Sequence, residues 1–204
     1  MMEHAHTVFL VDDDPAVRNA LECLMDAAQL RYRSFDTAEA FLDACDPDQP
    51  GCLVLDIRMP GISGLQLQEA LTDRNIILPV IFLTGHGNVA MSAQAFRRGA
   101  VDFLEKPFNE NILLDRIVEA IRTDQANRAA LATRQDARTR LASLTPRETE
   151  IMQLVVTGRT NKEIAAQLNL SYRTVETHRS RIMDKTGAGS LADLISLARR
   201  SGMA

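Results

Sequence analysis

Cys52-Leu53-Val54-Leu55-Asp56-Ile57-Arg58-Met59-Pro60-Gly61 is the stretch whose reading decides the fold. Its apolar run from Cys52 to Leu55 shows no polar alternation, which predicts a strand buried on both faces, as in a parallel sheet. The run ends on a carboxylate, and Pro60-Gly61 soon breaks the regular structure. Open α/β sheets bind ligands at the carboxyl ends of their strands. A lone Asp before a Pro-Gly turn would read as a turn cap, but the pattern recurs. Phe9–Val11 runs into Asp12-Asp13-Asp14, Val80–Leu83 into Thr84, and Phe103–Leu104 towards Lys106-Pro107.

Outward from Asp56, strands and helices alternate. Thr7–Val11 reads as a strand, and Asp14 with Pro15 opens a helix to about Ala28 with Val17, Leu21, Leu24 and Met25 on its apolar side. Arg31–Phe35 predicts an exposed edge strand, and Asp36 or Thr37 caps a short helix carrying Phe41. After the central strand, Ser63–Leu71 predicts a helix and Leu78–Leu83 a strand. Asn88 would cap a helix to about Arg98 that Gly99 ends. Val101–Leu104 is the fifth strand and Glu110–Arg122 the fifth helix. Five strands alternating with helices imply a doubly wound, flavodoxin-like parallel sheet in the order 2-1-3-4-5. Strands 1 and 3 then flank the switch point, where Asp12, Asp13 and Asp56 converge.

Composition sets the outer limits. The 204 residues suit one domain or two, and 46% hydrophobic with 25% charged residues is ordinary for a globular protein. Cys23, Cys45 and Cys52 have no metal-type spacing and fit a reducing cytoplasm. The first residues lack a secretory signal, and no apolar run approaches the ~20 residues that span a bilayer. A cytoplasmic protein with no membrane partner is expected. The net charge of −4 conceals an asymmetry: 10 Lys and Arg stand against 19 Asp and Glu through Arg122, and 13 against 8 thereafter. An acidic half joined to a basic half predicts two domains with different partners, nucleic acid for the basic one.

Residues 123–142 turn to Ala, Arg, Gln and Thr without Gly or Pro, which predicts a helical, solvated linker. Thr145, Pro146 and Glu148 form a capping box for a helix that stops at Gly158. Asn161–Leu168 is a second helix, and after the turn at Asn169-Leu170-Ser171 a third runs from Tyr172 to about Lys185. Val175, His178 and Ile182 point inward there. Ser190 caps a last helix through Arg199, with Leu191, Leu194, Ile195 and Ala198 on one stripe. Two short helices joined by a tight turn make a helix-turn-helix.

Carboxylates gathered at one point repel unless a cation neutralises them, and hard oxygen donors with room for water suit Mg²⁺. Asp14 is accounted for as a helix cap; Asp12 and Asp13 directly follow a buried strand and are not. Lys106 and Thr84 supply the ammonium and hydroxyl that phosphoryl oxygens need, and a carboxylate nucleophile would give an aspartyl-phosphate.

Val11-Asp12-Asp13, Leu55 to Gly61, Thr84-Gly85-His86-Gly87 and Asp102-Phe103-Leu104-Glu105-Lys106-Pro107-Phe108 resemble a bacterial response-regulator receiver domain of the FixJ branch, over residues 5–122. The resemblance implies a CheY-like fold and phosphorylation of Asp56 by a sensor histidine kinase. It implies Mg²⁺ (or Mn²⁺) held by Asp13, Asp56 and the Arg58 carbonyl, with Asp12 acting through water. Thr84 and Phe103 would be the switch pair, and Lys106 would contact the phosphoryl group. Gly85 and Phe103 stand where many receivers have Ala and Tyr; Phe103 carries no hydroxyl, so its switching would work by packing alone. Arg58 and His86, on loops beside the site, are expected to tune the lifetime of the aspartyl-phosphate.

Residues 143–204 resemble a LuxR/FixJ-type output domain through Leu144-Thr145-Pro146-Arg147-Glu148, Asn161-Lys162-Glu163-Ile164-Ala165 and Thr174-Val175-Glu176-Thr177-His178. Tyr172–Lys185 would be the recognition helix, made basic by Arg173, Arg179, Arg181 and Lys185. Thr174, Glu176, Thr177 and Ser180 are placed to reach base edges, while Lys162, Arg173 and Arg181 suit phosphates. The expected protein is therefore a NarL/FixJ-type transcription regulator that dimerises on phosphorylation and binds double-stranded promoter DNA. RNA polymerase is a further partner that the resemblance leaves open. Its only chemistry would be Mg²⁺-dependent phosphorylation and dephosphorylation of itself. Two rivals stand beside this reading. A hydrolase acting through an aspartyl-phosphate commonly has a second Asp two residues after the nucleophile, where this chain has Arg58. A regulator controlled without phosphorylation has no need of an intact Asp12, Asp13, Asp56, Thr84 and Lys106.

Overall fold

Strands β1 (Thr7–Val11), β3 (Gly51–Asp56) and β4 (Val80–Thr84) are buried at every position in a computed structural model of the chain, which describes residues 6–85 and 100–203. With β2 (Arg31–Phe35) and β5 (Asp102–Glu105) they form one parallel sheet in the order β2-β1-β3-β4-β5. That is the expected topology. Strand β4 starts at Val80 rather than Leu78, because Pro79 has no N–H to give the ladder.

Helices α1 (Pro15–Ala27), α2 (Ala38–Ala44) and α3 (Gly64–Asp73) connect the strands. Asp14 caps α1, Thr37 rather than Asp36 caps α2, and Ser63 forms a reciprocal capping box with Gln66 on α3. One side of the sheet packs Phe9, Leu53, Leu55 and Phe82 against Phe41, Leu67 and Leu71. The other packs Val8, Leu10, Val54 and Ile81 against Leu21, Met25, Leu113 and Ile117. Burial on both faces is what makes β1, β3 and β4 continuous apolar runs. The helix expected from Asn88 to Arg98, with His86 and Gly99, lies outside the described residues.

Helix α4 spans Glu110–Ala142, 33 residues, and the chain divides into two units between Asn127 and Arg128. Residues 123–142, expected as a helical, solvated linker, are mostly exposed. The stretch is helical, but Asp124 is fully buried in the first unit, where its Oδ2 accepts the Gly51 N–H at 2.9 Å. Ala137 and Leu141 are buried in the core of the second unit. In that unit α5 (Pro146–Val156), α6 (Asn161–Leu168), α7 (Tyr172–Thr186) and α8 (Leu191–Ser201) pack around Ile151, Ile164, Val175, Ile182 and Leu194. Asn169, between α6 and α7, takes a left-handed conformation with φ 53° that allows the tight turn.

Candidate functional site

Parallel topology brings the carboxyl ends of β1 and β3 side by side, and Lys106 joins them. Its Nζ lies 2.6 Å from Asp12 Oδ2 and 2.7 Å from Asp56 Oδ1. Both carboxylates are buried, at 1% and 5% exposure. Burial raises the Asp12 carboxyl above its ordinary value, outweighing its bonds to Lys106 and the Asp14 N–H. Burial also pulls the Lys106 ammonium down, but the two carboxylates more than offset it, and the net direction is up. Two carboxylates facing one ammonium leave a residual negative charge in a poorly solvated place. One or two carboxylates completed by waters and a carbonyl is an arrangement that Mg²⁺ takes, so the residues fit that ion.

The loops around the pair are fixed through their backbones. Asp14 N–H donates to Asp12 Oδ1 at 3.0 Å, and the Arg18 guanidinium donates to the Asp12 carbonyl at 2.7 Å. Arg58 N–H donates to Asp56 Oδ2 at 2.7 Å. Gly64 is required where the chain returns, since a Cβ there would lie 2.3 Å from the Asp56 carbonyl oxygen. Thr84 is buried at the end of β4, and its carbonyl accepts the Lys106 N–H at 2.7 Å. The Lys106–Pro107 peptide bond is cis. Phe103 is half-buried against the core of Phe9, Phe41 and Phe82.

The structure thus brings Asp12, Asp56 and Lys106 together, with Thr84 on the adjacent strand. Asp13 is exposed, as is Arg58, and among the described residues no three carboxylate, His or Cys side chains meet as a metal cluster. Arg18 went unread in the sequence, because its contact is to a backbone carbonyl and no spacing rule points to it.

In the second unit, Lys162 on α6 and Arg173, Glu176, Thr177, Ser180 and Arg181 on α7 are exposed. Thr174 is half-buried, its hydroxyl 2.7 Å from that of Ser171, and the Thr177 hydroxyl donates to the Arg173 carbonyl. Two of the four basic residues of α7 have partners within the unit: Arg179 is half-buried and Lys185 exposed. Arg179 donates to Asn161 Oδ1 at 2.8 Å, and Lys185 donates to the buried Glu148 at 2.7 Å. The other two, Arg173 and Arg181, are exposed on α7. On α8, Leu194 and Ala198 belong to the core, while Leu191 stays exposed and Ile195 half-buried.

Glu148 also serves as the capping-box partner of Thr145. The Lys185 ammonium and then the Thr145 N–H hold its carboxyl at about 2, against an ordinary 4.5. A depressed carboxyl stabilises the fold above its ordinary value and ceases to do so as pH falls towards the folded one. The melting temperature of the parent should therefore exceed that of Glu148→Gln near neutrality. The gap should close as pH falls from 4.5 towards about 2. Parallel, pH-independent melting curves would show that Glu148 is not the titrating group.

Comparison with known proteins agrees with both units. Residues 8–118 match the response regulator receiver domain, and residues 142–198 match the bacterial regulatory proteins of the luxR family. The chain belongs to the two-component response regulators with a receiver and a LuxR-type helix-turn-helix domain: it is a transcription regulator. It is 41% identical to the transcriptional regulatory protein FixJ of Bradyrhizobium diazoefficiens over 196 residues, 96% of each chain. It is 44% identical to the transcriptional regulatory protein TdiR of Thauera aromatica, covering 97% of this chain and 87% of that one. Among solved structures it resembles the response regulator StyR, with a TM-score of 0.85 and 42% identity over 96% of this chain and 99% of that one. No helix among the described residues is long and apolar enough to cross a membrane.

Proposed function

We propose that the chain regulates transcription in response to phosphorylation: Asp56 accepts a phosphoryl group from a sensor histidine kinase, and the modified protein dimerises on promoter DNA. The observation that carries this reading is Lys106 Nζ bridging Asp12 and Asp56 at the ends of β1 and β3. An Asp56 oxygen attacks phosphorus, and the phosphoryl group leaves its donor for the carboxylate. Lys106, already at hydrogen-bond distance from Asp56, offsets charge on the transferred oxygens, and the Thr84 hydroxyl is the candidate partner for one of them. Asp12, Asp13, Asp56 and the Arg58 carbonyl would hold Mg²⁺, which supplies further neutralisation of the phosphoryl oxygens when bound. Ala16, Val17 and Ala20 of α1 form an apolar shelf with Pro107 and Phe108 beside Lys106, a surface open to a partner that delivers phosphate.

Dimerisation follows from a change at Phe103. When Thr84 moves towards a phosphoryl oxygen, Phe103 repacks one strand away on β5. Next to it, Arg116 holds Asp102 at 2.7 Å and Glu119 at 2.5 Å, pairs that two molecules can exchange across a two-fold axis. Sedimentation with and without a small phosphodonor tests the reading, with dimers expected at micromolar protein only after phosphorylation. A verified phosphorylated species that stays monomeric and binds DNA no better than the unmodified chain would refute it. The protein is placed in the cytoplasm, with its kinase and the promoter.

A further inference from the structure

The loop after Asp56 is held from outside by a helix that takes no part in the site as described. Gly61 has φ +74°, and the next N–H, that of Ile62, donates to Glu39 Oε1 at 3.2 Å. A Cβ at Gly61 would lie 2.7 Å from the same oxygen, so the turn is seated directly on the Glu39 carboxylate. Glu39 is exposed in the first turn of α2 and 23 residues from its partner, so it is not part of the local hydrogen bonding of the loop. The other end of the loop is equally defined. Arg58 N–H is bonded to Asp56, and Gly64 N–H donates to the Ile57 carbonyl at 3.0 Å. Arg58 to Gly61 thus spans two fixed points, one within the site and one on Glu39.

We propose that Glu39 is a positioning residue for the Asp56 site, a strap that holds the Arg58–Ile62 loop in the conformation that receives the divalent cation. The proposal rests on the reading of Asp56 as a Mg²⁺-dependent phosphoacceptor. Without the strap the Gly61–Ile62 peptide is released to water, and the loop has to be ordered again when the ion binds. That ordering cost falls on metal affinity rather than on the phosphoryl transfer itself. A hydrogen bond of ordinary net strength, charged acceptor or not, is sufficient for a change of up to ~10-fold in affinity.

The test uses the full chain with Mn²⁺ as probe, free ion being counted by electron paramagnetic resonance, and amide exchange at Ile62 as a metal-free readout. In Glu39→Ala, Ile62 exchange should accelerate and Mn²⁺ affinity should fall ~10-fold. Phosphorylation at saturating Mg²⁺ should stay within about twofold of the parent, since the reacting groups are untouched. Glu39→Gln keeps an acceptor oxygen and removes the charge, and should restore both exchange and affinity to near the parent. Unchanged Mn²⁺ affinity in Glu39→Ala despite faster Ile62 exchange would overturn the proposal. Equal weakening in the Ala and Gln variants would overturn it too, by assigning the effect to charge. If the parent itself neither binds Mn²⁺ nor gains a phosphoryl group, the reading of the site fails, a result distinct from failure of the strap.

Discussion

Asp56→Asn is expected to gain no phosphoryl mass from a small phosphodonor, while the parent gains one full adduct only when Mg²⁺ is present. Three features of the site argue for an effect this large. The Asp56 carboxylate is buried at a strand end, is oriented by the Arg58 N–H and is held 2.7 Å from Lys106. An amide keeps the shape but is a far weaker nucleophile, and it removes one of the two buried charges that call for a cation. Intact mass with and without chelator reads the outcome directly. A full adduct on Asp56→Asn would move the acceptor to another carboxylate, and an adduct on the chelated parent would remove the metal from the reaction.

The second large effect is expected on DNA, where Lys162 and Glu176 should behave oppositely. Lys162 on α6 is exposed, and α6 precedes the recognition helix as the first helix of the motif, which crosses the backbone. Lys162→Ala should weaken binding to every sequence and reduce the slope of log affinity against log salt by about one. Glu176 is exposed on α7 between Arg173 and Ser180, flanking the buried stripe of Val175 and Ile182. An acid there repels phosphate and can accept from cytosine N4. Glu176→Ala should relax base preference at one position by about 1–3 kcal/mol, while affinity for random DNA stays equal or rises. Fluorescence anisotropy with a selected operator and a random duplex separates the two. Equal losses on both duplexes from both variants would take α7 out of the groove.

Why these residues were legible in the sequence is a matter of topology. Strand order follows from the alternation of elements, and strand order alone brings the ends of β1 and β3 together. Asp12 and Asp56 could therefore be grouped from the sequence, whereas Lys106, after the edge strand β5, joined them through the needs of phosphoryl chemistry. Alternation along a chain leaving a strand likewise accounts for Asp13, whose side chain is exposed where that of Asp12 is buried. Arg18 and Glu39 were invisible for another reason. Each binds a backbone group, the Asp12 carbonyl or the Ile62 N–H, and backbone partners leave no trace in residue type. The partners that Arg179 and Lys185 have within the unit could have been anticipated. Arg179 falls four residues after Val175 and three before Ile182, and Lys185 three after Ile182, which sets both beside the buried stripe. Their charge drew attention away from their phase. Ala137, Leu141 and Leu144 have the same helical spacing, hidden in an alanine-rich stretch where another Ala carries no weight.

Helix α4 bears on how such regulators can be recombined. Gene fusions that exchange sensory and effector modules are naturally cut where composition changes, near Arg122 or Ser143. A cut at Ser143 would strip Ala137 and Leu141 from the core of the DNA-binding module, and a cut at Arg122 would leave the Gly51 N–H without Asp124. The seam at Asn127–Arg128 keeps both sets of contacts with their owners. The graftable boundary is a point inside an unbroken helix, so a functional hybrid has to preserve helical phase as well as reading frame.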